Sequence, residues 1–306
     1  MTSTHIAPVK RAKPLSHDAG WGYLMVAPTI LGLIILNIYP FFHSIYMSFS
    51  ETMLFGNWEW VGLDNYRKMF SDPNMWRATG NTLYFVLLTV PLGIFLALAF
   101  ASMLNSQIKG RDGLRAIYFL PMIVAPAAIA MVWKWLYNTE YGLINQFLGL
   151  FGADVKINWI SNPKLALPAA AIVAIWSSIG YDIILLLAGL QAIPRSYYEA
   201  ADIDGANFIS KFFHITVPMV SPTMFFVLIM RLMAALKQFD LVYMMITDTN
   251  PAFQQSQTLM YLFYRESFQV GNKGYASALV LWTFVIILAF TAIQFVGQKK
   301  WVHYDQ

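Results

Sequence analysis

Five stretches of this chain contain no Asp, Glu, Lys or Arg at all: residues 19–50, 78–108, 116–133, 212–230 and 274–298. A run of about 18 or more such residues crosses about 30 Å of hydrocarbon as a helix rising 1.5 Å per residue. That constraint leaves little room for a soluble fold. Two soluble domains of about 150 residues would fit a length of 306, but only 12% of the residues are charged and 58% are hydrophobic, with a mean hydropathy of +0.53. An ordinary soluble surface needs about twice that share of charge. Soluble enzymes are therefore excluded first. The absence of cysteine removes disulfides, thiolate nucleophiles and thiolate metal sites, and says nothing about redox compartment.

The pattern predicts an all-α polytopic membrane protein with six spans near 21–46, 78–104, 115–137, 166–190, 222–247 and 275–297, within a membrane domain covering 19–298. The segments 51–77, 138–165 and 248–274 fall on one side. The segments 105–114 and 191–221, a tail at 1–18 and a tail at 299–306 fall on the other. Lys10, Arg11, Lys13, Lys109, Arg111, Arg115, Arg195, Lys211, Lys299 and Lys300 give the second side the excess of basic residues. The positive-inside rule then puts both termini in the cytoplasm. The first apolar run is about twice the length of a signal-peptide core and has no small-residue cleavage site, so it reads as an uncleaved span. Trp21, Tyr23, Trp133, Trp135, Tyr137 and Trp301 sit near span ends as interfacial anchors. Pro28, Pro40, Pro91, Pro121, Pro126 and Pro168 mark kinks. The net charge of +4 is scattered rather than gathered into a stripe, which argues against nucleic acid as a partner.

Residues 191–222, QAIPRSYYEAADIDGANFISKFFHITVPMVSP, do not read as a tether. Pro194 can open a short helix, and Gly205 can supply a left-handed turn. Phe208, Phe212, Ile215 and Met219 then draw one apolar stripe at helical spacing, closed by Pro218 and Pro222. The expectation is two short helices against the cytoplasmic membrane face. The small Ala200 and Ala201 allow close approach, and Glu199, Asp202 and Asp204 offer polar contacts. Physics alone leaves two readings open, a docking element or an interfacial helix with no partner.

The order Glu199-Ala200-Ala201, Asp204-Gly205-Ala206, then Phe212, Ile215, Pro218 and Pro222 resembles the EAA loop of permease subunits in binding-protein-dependent ABC importers. Further runs resemble the carbohydrate-uptake branch: Ala27-Pro28, Tyr39-Pro40, Gly62 to Tyr66, Asn81-Thr82, Leu120-Pro121, Trp176 to Tyr181, Ala188 to Pro194 and Gly274 to Leu279. The likeness covers roughly residues 20 to 297. Two departures stand out: Asp248-Thr249-Asn250-Pro251 replaces a glycine pair, and the large outer domain of maltose-type partners is missing. The resemblance implies a type I ABC importer permease fold in the bacterial plasma membrane, working by alternating access. It implies a second homologous permease, an extracytoplasmic solute-binding protein and two cytoplasmic ATPase subunits, which bind ATP and Mg and leave this chain without a cofactor. The coupling residues implied are Glu199, Ala200, Ala201, Asp204, Gly205, Ala206 and Phe212.

Charged groups inside spans are functional candidates, because hydrocarbon tolerates them only beside a partner or a watery cavity. Away from the span ends, where Arg115 and Lys134 lie, they are Asp182, Arg231, Lys237 and Asp240. Lys237 and Asp240, three apart on an ideal helix, suit either a self-neutralising pair or a carbohydrate site, with Gln238 donating and accepting and Phe239 stacking on a sugar face. By resemblance, Ser178, Tyr181 and Asp182 and the stretch from Leu236 to Asp240 line a midplane cavity. Asp182 and Lys237 are unusual there, which suits a polar or charged glycan or an internal ion pair. His5, His17, His43, His214 and His303 show no metal-ligand spacing, and no phosphate-cradling motif is present. The rival readings are an ATPase-independent carrier or channel, which should show two similar halves, and a membrane-embedded enzyme, which needs a nucleophile–base pair or metal cluster.

Overall fold

The computed structural model describes residues 18–52, 58–105, 111–151 and 156–303. Lys10, Arg11, Lys13, Lys109, His5 and His17 lie outside the described residues, as do most of the N-terminal tail and residues 304–306. The elements are α1 (Asp18–Leu33), α2 (Tyr39–Ser48), β1 (Ser50–Thr52), β2 (Trp58–Trp60), α3 (Asp64–Ser71), α4 (Pro73–Asn105), α5 (Arg111–Ile123), α6 (Pro126–Leu136), α7 (Leu143–Gly149), α8 (Ala166–Gln191), α9 (Arg195–Ile203), α10 (Phe208–Lys211), α11 (Val217–Leu236), α12 (Asp240–Met245), α13 (Phe253–Ser256), α14 (Leu259–Tyr264) and α15 (Lys273–Trp301). Among the described residues, five helices are long and apolar enough to cross a membrane, and a bent pair makes up to six.

The chain divides into two compact units, residues 1–47 and 48–306. In the first, α1 and α2 are joined by a π turn, Ile34–Ile38, which ends with Tyr39 N–H on the Ile34 carbonyl. Pro40 follows at once. A proline ring clashes with the carbonyl four residues back, and a widened turn relieves that clash without ending the helix. The same device recurs in the second unit, where the π turn Phe212–Thr216 precedes Pro218.

The second unit is built on α8, which packs along α4 and against α5 and α11. Ala169, Ala170 and Ala171, consecutive in its alanine-rich first turns, are all buried, as suits small residues where helix backbones approach in a membrane. Three apolar cores stack through the unit. One, around Met69, Met75, Leu259 and Tyr275, holds the start of α4 against α3, α14 and α15. The second joins α4, α6, α8, α11 and α12, and the third joins the far ends of α4 and α8 to α11.

Two spans differ from the sequence reading. The third is not one helix over 115–137: its two halves bend by 110° between Ile123 and Pro126. The residue before a proline is pushed out of the helical region. Ala125 accordingly takes φ −59°, ψ 136°, and Pro126 opens α6 with the one N–H a helix start does not need. The fifth is not 222–247. It runs from Phe208 to Leu236, so Pro218 and Pro222 lie within it rather than closing a separate loop helix. It stops at Lys237 (φ −96°, ψ 11°), and α12 restarts at Asp240. The Gln238 carbonyl freed by this break accepts a bond from Thr258 Oγ1 at 3.0 Å.

The buried Asn65 ties the loop-rich end together, donating from Nδ2 to the Ser48 carbonyl at 3.0 Å and the Ser50 carbonyl at 2.9 Å. Asn65→Ala should lower the thermal stability of the purified protein by about 1–3 kcal/mol, since both carbonyls stay buried without this donor. Unchanged unfolding would show that the tie is dispensable.

Candidate functional site

A cavity of about 400 Å³ opens where the two helix breaks face α8. Val124 and Pro126 line it from the first break, Gln238 and Asp240 from the second, and Ser178, Tyr181 and Asp182 from α8. Most of the remaining wall is apolar, including Met122, Ile129, Met230 and Leu241. A mostly apolar hollow with a few placed polar groups is the usual form of a small-solute site.

Of the residues singled out from sequence, Ser178, Tyr181, Asp182, Gln238 and Asp240 reach this cavity together. Lys237 and Phe239 are not among its lining residues. Phe239 joins an aromatic cluster, stacked on Tyr243 with centroids 5.0 Å apart and tilted on Tyr264 at 4.9 Å. The Lys237–Asp240 pair is not formed. The helix that would set them on one face has ended at Leu236, and both side chains are exposed without an ion-pair partner among the described residues.

Asp182 instead pairs with Arg231 of α11, 49 residues away. Arg231 Nε donates to Asp182 Oδ2 at 2.7 Å, and NH2 lies 2.6 Å from the same oxygen, with both side chains 6% exposed. NH1 donates to the Thr89 carbonyl of α4 at 2.7 Å, and NH2 to Ser178 Oγ at 3.1 Å. The guanidinium thus ties its own helix, α11, to both α8 and α4. Gly93 makes room for it, because a Cβ at that position would overlap Arg231 NH1 and Cζ. Arg231 was visible in the sequence only as an intramembrane charge. Its signal was the presence of an Asp of opposite sign in the neighbouring span, since such charges need partners.

At the opposite end of α11 lies the loop. α9 starts after Pro194 and ends at Asp204. Gly205 turns the chain with φ +72°, a left-handed conformation strained for residues with a Cβ. Asn207 caps α10, its side chain accepting from Ser210 N at 2.8 Å. Two contacts tie α9 back to the long helix: Tyr198 Oη to Thr216 Oγ1 at 3.0 Å, and the ion pair Lys211–Asp202. Glu199, Ala200, Asp204 and Gly205 are exposed, and Ala201 and Ala206 are half-buried. Phe212 packs inward on the third core rather than facing out. Phe208, placed on the inward stripe from sequence, is instead 78% exposed, and three further exposed apolar residues were not singled out: Ile203, 88% exposed, Ile209 and Phe213. Four large apolar side chains left uncovered on one short loop are a mark of an interaction surface. The signal lay in counting apolar residues off the stripe as well as on it.

A helical membrane unit with a polar-lined hollow and an uncovered loop is the form of a transport subunit, and comparison with known proteins agrees. Residues 89–302 match the family described as binding-protein-dependent transport system inner membrane component. The chain is 35% identical to the probable ABC transporter permease protein YesP of Bacillus subtilis, over 100% of this chain and 99% of that one. It is also 35% identical to the trehalose/maltose transport system permease protein MalF of Thermococcus litoralis, over 90% and 92%. In fold it is similar to a chain of the bacterial alginate ABC transporter solved with an alginate-bound periplasmic protein (TM-score 0.83, 22% identity, 94% of this chain and 96% of that one). The chain therefore belongs to the inner-membrane components of binding-protein-dependent transport systems: it is a multi-pass, non-catalytic permease subunit of an ABC importer.

Removing either charge of the buried pair strands the other. Asp182→Asn or Arg231→Met alone should destabilise the protein by about 3–5 kcal/mol, and the two together by far less than the sum. Thermal unfolding of the four forms checks this, and additive losses would contradict it.

Proposed function

We propose that this chain is one of two related permeases forming the pathway of a carbohydrate importer, with both of its termini in the cytoplasm. A solute-binding protein delivers the sugar, and two cytoplasmic ATPase subunits supply the energy. The observation that carries this reading is the continuity of the helix from Phe208 to Leu236. One end bears the uncovered loop and the other ends beside the cavity, so a push on α9 and α10 reaches the solute site through a single rod.

In this reading the ATPase subunits grip Glu199, Ala200, Ala201, Asp204, Gly205 and Ala206 together with the Ile203 and Phe208 patch. Phe212 works from inside, holding the loop to the third core. Closure of the ATPase pair moves the loop. The tie from Tyr198 to Thr216 passes the motion to α11, and the Arg231 bonds pass it on to α4 and α8. The cavity then opens to one face or the other as the two permeases rock. Ser178, Tyr181, Asp182, Gln238 and Asp240 meet the solute, hydrogen-bonding to hydroxyls while Tyr181 offers a ring. Lys237 and Phe239 support that wall rather than touch solute. The carbohydrate assignment is supported by the match to the trehalose/maltose permease along most of the chain.

Gly205→Val should keep the permease folded but cut transport-coupled ATP hydrolysis by about tenfold or more, because a β-branched residue cannot hold φ +72° without strain. Asp240→Ala and Tyr181→Ala should weaken sugar uptake in proteoliposomes while ATPase assembly is preserved. Wild-type coupling in the first variant removes the lever, and wild-type uptake in the other two removes them from the site.

A further inference from the structure

We infer that this half of the cavity selects against negative charge: it suits a neutral polyhydroxylated solute and disfavours phosphorylated, sulfonated or uronate ones. The inference rests on the carbohydrate reading above and narrows it.

The cavity has one cationic lining residue, Arg231, and its charge is not on offer. Nε and NH2 are held by the same Asp182 oxygen, NH2 also reaches Ser178, and NH1 is on the Thr89 carbonyl. The Arg231 side chain is 6% exposed and its guanidinium sits against Gly93, so it cannot swing toward a ligand without vacating a fitted slot. An anion would have to break the Asp182 pair to use it.

Apart from Arg231, the polar lining is two carboxylates, three hydroxyls and one amide, with no second cation. Arg231 occupies only Oδ2 of Asp182, and Oδ1 has no hydrogen-bond partner among the described residues. Asp240 likewise has no side-chain partner among them, and Gln238 adds an amide. With Asp182 and Arg231 cancelling, Asp240 gives this wall its net charge, and that charge is negative. Lys237 is three residues away in sequence but exposed and not among the lining residues. Sugar hydroxyls are donors that two carboxylates satisfy well, whereas an anionic solute meets the like charge of Asp240 with no free cation on the same wall to offset it.

The test uses the complete importer, purified without its solute-binding protein. Equilibrium dialysis measures its binding of two trisaccharides, neutral maltotriose and triply anionic trigalacturonate. Wild type should bind maltotriose at least about tenfold more tightly. Asp182→Asn, which uncovers Arg231, and Asp240→Asn, which removes the uncompensated charge, should each narrow that preference by about tenfold. Asp240 is exposed, so its variant decides the matter even where Asp182→Asn fails to assemble. Trigalacturonate binding equal to or tighter than maltotriose in wild type, or a preference that neither variant moves, overturns the charge selection and leaves the carbohydrate reading standing. Binding of neither sugar to any form removes the carbohydrate reading, and this inference with it.

Discussion

A guanidinium inside a hydrocarbon slab must be surrounded by acceptors, and in this protein that requirement organises the bundle. Arg231, on α11, takes its acceptors from two other helices: a carboxylate and a hydroxyl on α8, and a backbone carbonyl on α4. Packing alone would let α4, α8 and α11 slide, because lipid solvates apolar helix faces about as well as another helix does. A charge-assisted fork with fixed geometry does not allow sliding without leaving a charge uncovered. The three helices therefore behave as one body at the level of the cavity, and Gly93 is the concession in α4 that lets the fork close.

Around that body the chain places two kinds of irregularity, each with a different use. Full breaks, between Ile123 and Pro126 and between Leu236 and Asp240, open backbone and side chains into a hollow. The π turns before Pro40 and Pro218 do the reverse, carrying a helix through a proline that would otherwise end it. The second π turn is what makes the loop and the fifth span one element. A break there would have left α9 and α10 as a flap, and a flap transmits no force.

Much of this was legible in the residues. Charge-free runs located most of the spans, because the cost of a bare charge in hydrocarbon leaves a gap in the sequence, and the spans holding Asp182 and Arg231 are the ones that interrupt that gap. Gly205 announced its turn, and Ser178, Tyr181, Asp182, Gln238 and Asp240 were all identified for the cavity that they line. The misreadings share a cause, which is the assumption that local rules act alone. Pro218 and Pro222 looked like stops, since the π turn that absorbs Pro218 carries no sequence signature. Lys237 and Asp240 looked like neighbours on a helix, since nothing at Lys237 to Phe239 resembles a breaker. Thr258, about 20 residues on, is what satisfies the broken backbone. Asp182 and Arg231 were each visible as buried charges, but their meeting depends on how two spans pack, and periodicity does not contain that information.

The central claim is that loop, α4, α8 and α11 move as one rigid lever. Because the chain contains no cysteine, spin labels can be placed singly and in pairs without background. Ser196 on α9 and Leu87 on α4 are both exposed and make a suitable pair, to be measured in the assembled importer with and without nucleotide. Their separation should stay fixed while the distance from Leu87 to a label on the partner permease changes. A change in the Ser196–Leu87 separation of about one helical turn, roughly 5 Å, would contradict the account, because the loop would then be swinging on its own.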